Sequence, residues 1–218
     1  MFLLLIINQE CLKTKKLSKL LAENKGVHTD IFYLPPFQLH QGEIIGIFVG
    51  NHEHTYLAER HITNIFTEKI QDKNVSVREK FTFVDYVWES AFRRIFFPIT
   101  VGEYLKKHAD LKNPYAKKIY ETEWINRKTN INRLPGNPRK LLSLYSVLSK
   151  KENIILDFGG QDPQGARTAF EIIRKECNEG GSAILFDLFK SIENDCDQYI
   201  KLEWLIEATP TSFKNPFV

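Results

Sequence analysis

The hydrophobic residues in the last third of the chain form two uninterrupted runs on either side of an amphipathic segment. Asn153–Leu156 and Ser182–Phe186 are apolar without alternation, which is typical of strands buried on both faces of a parallel sheet. Between them, Asp162 provides a helix N-cap, Pro163 suits the first helical position, and Gly180 marks the helix end. This order predicts a strand, a helix and a parallel strand in an α/β domain that commonly hosts nucleotide chemistry.

The same patterns predict elements elsewhere in the chain. The predicted helix with the most regular spacing has apolar residues recurring every three or four positions directly after a buried strand. Further strands are expected at Phe2–Ile7, Asp30–Tyr33, Glu43–Val49, Phe81–Val84 and Tyr199–Leu202. Further helices are expected at Leu12–Glu23, Leu57–Ile70, Val101–Ala109, Ala116–Ile125 and Lys140–Leu148.

Composition narrows the class of protein. A length of 218 residues with 43% hydrophobic residues fits one large domain, or one domain with an inserted subdomain. The formal charge of +3 comes without a dense basic block, so no nucleic-acid partner is predicted. Cys11, Cys177 and Cys196 are odd in number and form no CxxC pair, which favours a reducing cytosol over a disulfide framework. Met1–Ile7 is too short to span a bilayer, so no membrane span is expected.

Three segments of the last third resemble, in order, the second half of an ATP-binding subunit of an ABC transporter. Asn153–Asp157 looks like a Walker B strand, Asp162–Gly165 like a D-loop, and Glu179–Leu185 like the strand that follows. Three upstream segments also resemble the family, at the expected spacing. Gly42–Gly46 resembles the strand before the phosphate loop, Phe97–Leu105 resembles the segment after the Q-loop, and Leu134–Asn137 stands at the signature position. The resemblance covers most of Gly42–Leu202, whereas the first forty residues match poorly.

The resemblance implies a fold and a set of partners. The expected fold is an α/β, RecA-like P-loop NTPase sandwich with an inserted helical subdomain. Residues 1–84 and 151–218 would form the α/β lobe, and residues 85–150 the helical subdomain. Subunits of this family dock a membrane permease and pair with a second ATPase subunit, so a homodimer or heterodimer is expected. The location would be cytoplasmic, peripheral to the inner face of the cell membrane.

The nucleotide-binding motifs depart from the family pattern. A phosphate loop needs glycines, a Lys and a Ser or Thr, and no GxxxxGK[ST] motif occurs in this chain. The resemblance places Gly50 and Asn51 in the loop, Thr55 where the Lys belongs and Tyr56 where the hydroxyl residue belongs. It also leaves Asp157 at the end of the Walker B strand. These degenerate positions make bound ATP and Mg²⁺ doubtful cofactors, and none is certain.

Other catalytic positions are altered as well. Phe158 replaces the Glu that polarises water, and Phe158 can accept no proton. Pro135 replaces the signature Ser, and neither the Q-loop Gln nor the switch His is found where expected. We therefore predict little or no ATP hydrolysis, as in a pseudo-ATPase. Asp157 itself allows two interpretations. Its carboxylate either retains a role in binding water that coordinates a metal ion, or it is a polar residue at the strand end that hydrogen-bonds nearby backbone.

His52, His54 and His61 lie close together in the sequence, with Glu53 and Glu59 among them. Two loop histidines and one a helical turn or two later are able to converge on Zn²⁺. The alternative is a solvent-facing loop followed by an ordinary helical histidine.

The most aromatic stretch, residues 81–97, also has two readings. Much of it is expected to be local core. In the resembled family this region receives a helix of the permease, and aromatics beside arginines suit such an interface. The predicted interface residues are Tyr86, Trp88, Phe92, Arg93, Arg94, Phe96 and Phe97.

Three functions follow. The leading prediction is a non-hydrolysing partner that docks a permease and pairs with an active ATPase subunit. The second is a divergent but active ATPase. The third is a metal-binding or sensing protein that uses the histidines.

Overall fold

A five-stranded parallel sheet forms the centre of residues 18–207, which this computed structural model describes. Its strands are β5 Ile44–Phe48, β7 Thr82–Phe83, β8 Asn153–Asp157, β9 Ser182–Asp187 and β10 Gln198–Lys201. Their order in the sheet is β10-β5-β9-β8-β7, and every neighbouring pair is parallel. The α/β fold predicted from the sequence is therefore confirmed, including the parallel crossover between β8 and β9.

Two small antiparallel sheets lie beside the central sheet. Their strands are β1 Leu20–Asn24, β2 Val27–His28, β3 Phe32–Leu34, β4 Phe37–His40, β6 Val75–Val77 and β11 Glu203–Trp204. One sheet has the order β4-β1-β6 and the other β11-β3-β2.

The helix predicted at Leu12–Glu23 is wrong where the structure describes it. Leu20–Asn24 is a strand that pairs with Phe37–His40 and Val75–Val77, and this tertiary pairing overrides the loose helical spacing of its leucines. The predicted strand Phe2–Ile7 and Cys11 lie outside the described residues.

The helices connect the sheet strands and extend the middle of the chain. Their bounds are α1 Thr55–Phe66, α2 Ala91–Phe96, α3 Val101–His108, α4 Tyr115–Lys118, α5 Gly136–Leu148 and α6 Pro163–Asn178. Short 3-10 turns lie at Ile119–Glu121 and Ile131–Arg133. None of the helices within 18–207 is long and apolar enough to cross a membrane.

Three of the predicted helices have different bounds in the structure. The segment predicted as one helix at Ala116–Ile125 is α4 followed by a 3-10 turn. The helix predicted at Leu57–Ile70 starts earlier and ends at Phe66, and Glu68 beyond it adopts a positive φ of 57°. The helix predicted at Lys140–Leu148 begins four residues earlier, at Gly136. Helix α2 was not predicted.

Alternating residues of the central strands enter two different hydrophobic cores. Ile45 and Ile155 belong to a core that contains α1, whereas Ile44 and Ile154 belong to a core that contains α6. The strands are therefore buried on both faces, which explains their uninterrupted apolar runs. A third cluster, from Val87 to Leu142, packs the helices of the middle segment. The division into an α/β lobe and a helical subdomain at 85–150 stays a prediction.

Candidate functional site

The candidate site lies at the carboxyl ends of the parallel strands, where open α/β sheets bind ligands. The loop after β5 leads into α1, the turn after β8 leads into α6, and β9 ends at Asp187. The predicted residues Gly50, Asn51 and Thr55 lie in or directly after the first of these connections, and Asp157 begins the second.

The loop after β5 is closed by its own polar groups. The hydroxyl of Thr55 donates to the carbonyl of Gly50 at 3.0 Å and accepts from the backbone N–H of His52 at 3.1 Å. The backbone N–H of His54 donates to Nδ1 of His52 at 3.2 Å. Gly50 has a φ of 65°, the left-handed conformation that glycine adopts without strain. Asn51 is exposed. The N–H groups of His52 and His54, which a phosphate loop directs at its ligand, are thus bound inside the loop.

The side chain of His52 is held over this loop by Trp204. The two rings stack with centroids 4.1 Å apart and planes 13° apart, and the indole N–H of Trp204 donates to the carbonyl of Val49 at 3.0 Å. Nε2 of His52 is buried and finds no hydrogen-bond partner within residues 18–207. Trp204 is on β11 and had no sequence signal, because it is far from the loop along the chain.

The structure does not bring the three histidines together as a metal site. The ring centroids of His52 and His54 are 5.5 Å apart, whereas the ring of His61 packs edge-on against Phe32. Nε2 of His54 lies 3.6 Å from a carboxylate oxygen of Glu53. In the part of the chain that the structure describes, no three His, Cys, Asp or Glu side chains are grouped so as to hold a metal ion.

Asp157, at the end of β8, is paired with a lysine. Nζ of Lys140, from α5, lies 3.2 Å from Oδ1 of Asp157 and donates to the carbonyl of Val84 at 3.1 Å. The Lys140 side chain is 0% exposed, and its burial lowers the pKa of Lys140, although Asp157 opposes this by stabilising the charged form. The same Oδ1 accepts the N–H of Gly159 at 2.7 Å. Phe158, beside it, is half-buried against the α6 core.

Glu59, on α1, completes this group of charges. Burial, and then the nearby Asp157 carboxylate, raise the pKa of Glu59 to about 7, while Lys140 acts in the opposite direction. Oε1 of Glu59 is buried and has no hydrogen-bond partner among residues 18–207. Sequence reasoning grouped Glu59 only with the nearby histidines and missed Lys140, because a charged residue on an amphipathic helix normally faces solvent.

Asp187 ends β9 as a structural anchor. Its carboxylate accepts the N–H groups of Phe189 and Ile192 and the hydroxyls of Ser191 and Tyr199. These four donors compensate for burying the Asp187 charge, of which only 2% remains exposed.

The segment at the signature position packs against the turn after β8. Asn137 accepts the N–H of Asp162 at 3.0 Å, and Asp162 caps α6 by accepting the N–H of Gly165 at 2.8 Å. A Cβ on Gly136 would lie 1.8 Å from the carbonyl oxygen of Gly160, so only glycine fits at position 136. The start of α5 and the start of α6 are thus locked together.

A groove of about 1020 Å³ opens between the end of β7 and helices α3 and α5. Tyr86, Trp88, Arg93 and Phe97 of the predicted interface line it. The remaining predicted interface residues are on α2 and do not line the groove; these are Phe92, Arg94 and Phe96. The core expected within residues 81–97 is Phe81, Val84 and Val87.

Comparison with known proteins gives a structural answer only. No protein-family profile and no curated protein matches the sequence. Among solved structures, a metal-chelate-type ABC transporter in an inward-facing conformation superposes with a TM-score of 0.64 at 12% identity, covering 86% of this chain and 82% of that one.

Two further structures agree. An ABC transporter ATP-binding protein from Pyrococcus furiosus gives a TM-score of 0.62 at 15% identity, covering 84% of this chain and 97% of that one. A component of an ABC transporter complex from Clostridium perfringens gives 0.58 at 13% identity, covering 88% and 89%. The chain therefore has the fold of the ATP-binding cassettes of ABC transporters.

Proposed function

We propose that this protein is a non-hydrolysing counterpart of an ABC transporter ATP-binding subunit, which docks a permease and pairs with an active ATPase subunit. The observation that carries the proposal is the closed loop after β5. Thr55 stands where the Lys of a phosphate loop would be, and its hydroxyl bonds Gly50 and His52 of the same loop. Because those groups are engaged internally, the loop offers a phosphate neither a cation nor a free nest of N–H groups.

The pairing of Asp157 supports the same conclusion. In a competent site this carboxylate would help to hold Mg²⁺ through water. Here the ammonium of Lys140 lies 3.2 Å away and supplies the positive charge that a metal ion would bring. Phe158 beside it has no group that accepts a proton from water.

The groove supports permease docking. Trp88 is 78% exposed and Phe97 68% exposed, and both line the groove. Exposed aromatics around a concave surface are the anchors that protein partners use, and a groove suits an inserted helix. This argument depends on the four predicted interface residues that line the groove, which are Tyr86, Trp88, Arg93 and Phe97.

Titration of the purified chain with ATP, with and without Mg²⁺, tests the nucleotide part by calorimetry. We expect no measurable binding and no hydrolysis, and turnover of about 1 s⁻¹ or faster would overturn the proposal. A variant that restores the family pattern serves as comparison: His52→Gly, His54→Gly, Thr55→Lys and Tyr56→Ser. We expect this variant to bind ATP, because the loop regains its cation and its free N–H groups. The single variant Tyr56→Ser, at an exposed position, should not.

Co-purification with a permease and an intact ATPase subunit encoded nearby tests the partner part. Trp88→Ala with Phe97→Ala should abolish permease capture, whereas Trp124→Ala, an exposed tryptophan outside the groove, should leave it unchanged. Capture that survives the double substitution would place the interface elsewhere.

A second candidate function, a divergent active ATPase, is favoured by one observation. Glu59 lies near Asp157 and has a pKa raised to about 7, which suits a general base where Phe158 has replaced the usual one. This candidate predicts ATP hydrolysis that Glu59→Gln abolishes and Glu53→Gln does not.

A further inference from the structure

The large groove has an aromatic end, which lies around the start of helix α3. Trp88, Phe97 and Ile99 line this end. The backbone N–H of Ile99 donates to a carboxylate oxygen of Glu89 at 2.7 Å, and this bond holds the segment that carries Trp88 beside the start of α3. The aromatic end therefore offers an anchor point for apolar side chains of a partner.

The charges at the aromatic end are balanced within the chain. Hydrogen bonds from Thr100, and then the charge of Arg93, lower the pKa of Glu103 in the first turn of α3. The carboxylate of Asp85 helps to stabilise the charged form of Lys140. Asp85 and Glu103 are the acidic residues among those that line the groove, and each of them thus has a cation close to it.

The opposite end of the groove is basic. Helices α3 and α5 end side by side there, because the N–H of Asp110 donates to the hydroxyl of Ser149 at 2.9 Å. Neither Asp110 nor Glu152 lines the groove, although both are close along the chain. Within residues 18–207, the lysines at this end form no ion pair. The lining residues that define the basic end are Lys107, His108, Lys150 and Lys151.

The positive charge of the basic end exceeds what the fold itself offsets. Partial burial, and then the charges of Lys107 and Lys150, lower the pKa of His108, so these three groups lie close together. The carboxyl end of a helix carries about half a negative elementary charge, and two such ends offset about one of the three lysine charges. About two positive charges therefore remain for a partner to neutralise.

The two ends of the groove are separated by the length of α3. Phe97 and Ile99 precede this helix, whereas Lys107 and His108 end it. The 8 residues of α3 span about 11 Å at about 1.5 Å for each step. A partner helix that packs along α3 therefore places residues about seven positions apart, or about two turns, against the two ends.

We propose that the groove selects a permease helix that carries an apolar anchor and, about two turns away, acidic residues that pair with Lys107, Lys150 and Lys151. The proposal rests on permease docking as proposed above, and it names the chemistry of the docked segment. Charge complementarity carries it: an uncharged helix would leave the lysines unpaired, and a basic helix would be repelled.

Fluorescence anisotropy with three labelled helical peptides tests the proposal on the purified full chain. The peptides share an alanine-rich sequence of about 16 residues with a phenylalanine and a leucine near one end. They differ two turns away, where they carry two glutamates, two glutamines or two lysines. We expect the glutamate peptide to bind about tenfold more tightly than the glutamine peptide, because two ion pairs at the rim each add a few-fold. The lysine peptide should not bind, and salt should reduce the preference.

Two matched pairs of substitutions sharpen the test. Lys107→Gln with Lys150→Gln should bind the glutamate and glutamine peptides equally, since it removes charges that distinguish them. Lys106→Gln with Lys112→Gln removes the same net charge from exposed positions that do not line the groove, and it should keep the preference. Circular dichroism checks that both variants are folded.

Four outcomes would overturn the proposal. They are absence of peptide binding by the wild type, equal binding of the glutamate and glutamine peptides, a preference that survives Lys107→Gln with Lys150→Gln, and tighter binding of a labelled single-stranded DNA that this variant abolishes. The fourth would assign the basic end to nucleic acid.

Permease capture separates failure of this proposal from failure of the proposed function. If Lys107→Gln with Lys150→Gln captures a permease as well as the wild type does, docking stands and selection by charge is wrong. If the wild type captures no permease but prefers the glutamate peptide, selection by charge stands and the proposed function is wrong.

Discussion

Two strand-turn-helix units of the same sheet differ in the partners that the polar groups of their turns bind. In both, residues 44–66 and residues 153–178, a strand that is buried except at its ends leads to a helix that packs on the sheet. The first turn binds its own side chains, through Thr55 and His52. The second keeps its acidic residue, but pairs it with Lys140. Burial restricts the strand residues to apolar types. The chemistry of the site depends instead on a few turn residues, which burial does not restrict in this way.

The largest effect is expected from Lys140→Met. This change leaves the carbonyl of Val84 and the Asp157 carboxylate without their cation in a buried place, and breaking such a pair costs about 3 kcal/mol of unfolding free energy. Denaturant unfolding measures it. The double variant Lys140→Met with Asp157→Asn should recover part of the loss. If Lys140→Met is as stable as the wild type, the second turn does not depend on its lysine.

The pH dependence of stability distinguishes Glu59 from an ordinary surface carboxylate. Its folded pKa of about 7 lies above the ordinary 4.5, so between these values the folded state holds a proton that the unfolded chain has released. The contribution of Glu59 to the free energy of unfolding is therefore greatest below pH 4.5 and falls as the pH rises from 4.5 through 7, by about 3 kcal/mol. Urea unfolding across this range should show the fall in the wild type. Glu59→Gln should remove it, and a wild-type curve already flat there would contradict the assignment.

Thr55→Val probes the first turn. Valine keeps the shape of threonine but leaves the N–H of His52 without its acceptor and the carbonyl of Gly50 without its donor. We expect a loss of about 1–2 kcal/mol in unfolding free energy. Thr55→Ser, which keeps the hydroxyl, should lose less. An unchanged stability in Thr55→Val would show that the turn is not held by its own side chains.

The smallest expected effect is that of Asp162→Ala, at the start of the helix after the second turn. The change removes the N-cap acceptor for the N–H of Gly165 and should cost about 1 kcal/mol. Asp162→Asn retains a capping oxygen and should be close to wild type in thermal unfolding. A larger loss in Asp162→Ala would mean that the contact with Asn137 carries more of the packing between α5 and α6 than the cap itself.

The buried parallel strands could be predicted because the signal for them, an uninterrupted run of apolar residues, is visible in the sequence itself. Ile154 and Ile155 face opposite cores, so every position is apolar and the run stands out in the sequence. Leu20 and Leu21 were assigned to a helix because the antiparallel partners of their strand are distant along the chain, up to the 55 residues between Ala22 and Val77, beyond any local pattern. Edge sheets of this kind depend on tertiary pairing.

The candidate site was predictable in its positions but not in its contacts. Asp157 and the altered loop followed from motif spacing. Lys140 and Trp204 did not, because their roles come from packing between segments distant in sequence. The sequence left two readings of the aromatic stretch open, since nothing local distinguishes a phenylalanine that packs inwards, such as Phe81, from one that faces solvent, such as Phe96.

The buried ion pair of Lys140 and Asp157 has an evolutionary consequence. A magnesium ion at Asp157 would require the loss of Lys140, and losing Lys140 alone leaves the carbonyl of Val84 without this donor and the Asp157 carboxylate without its cation. A single substitution of Lys140 therefore yields a less stable protein, so the effects of changes at positions 140 and 157 are epistatic. Lys140 is expected to be retained wherever Asp157 is retained, because the two charges stabilise the fold only as a pair.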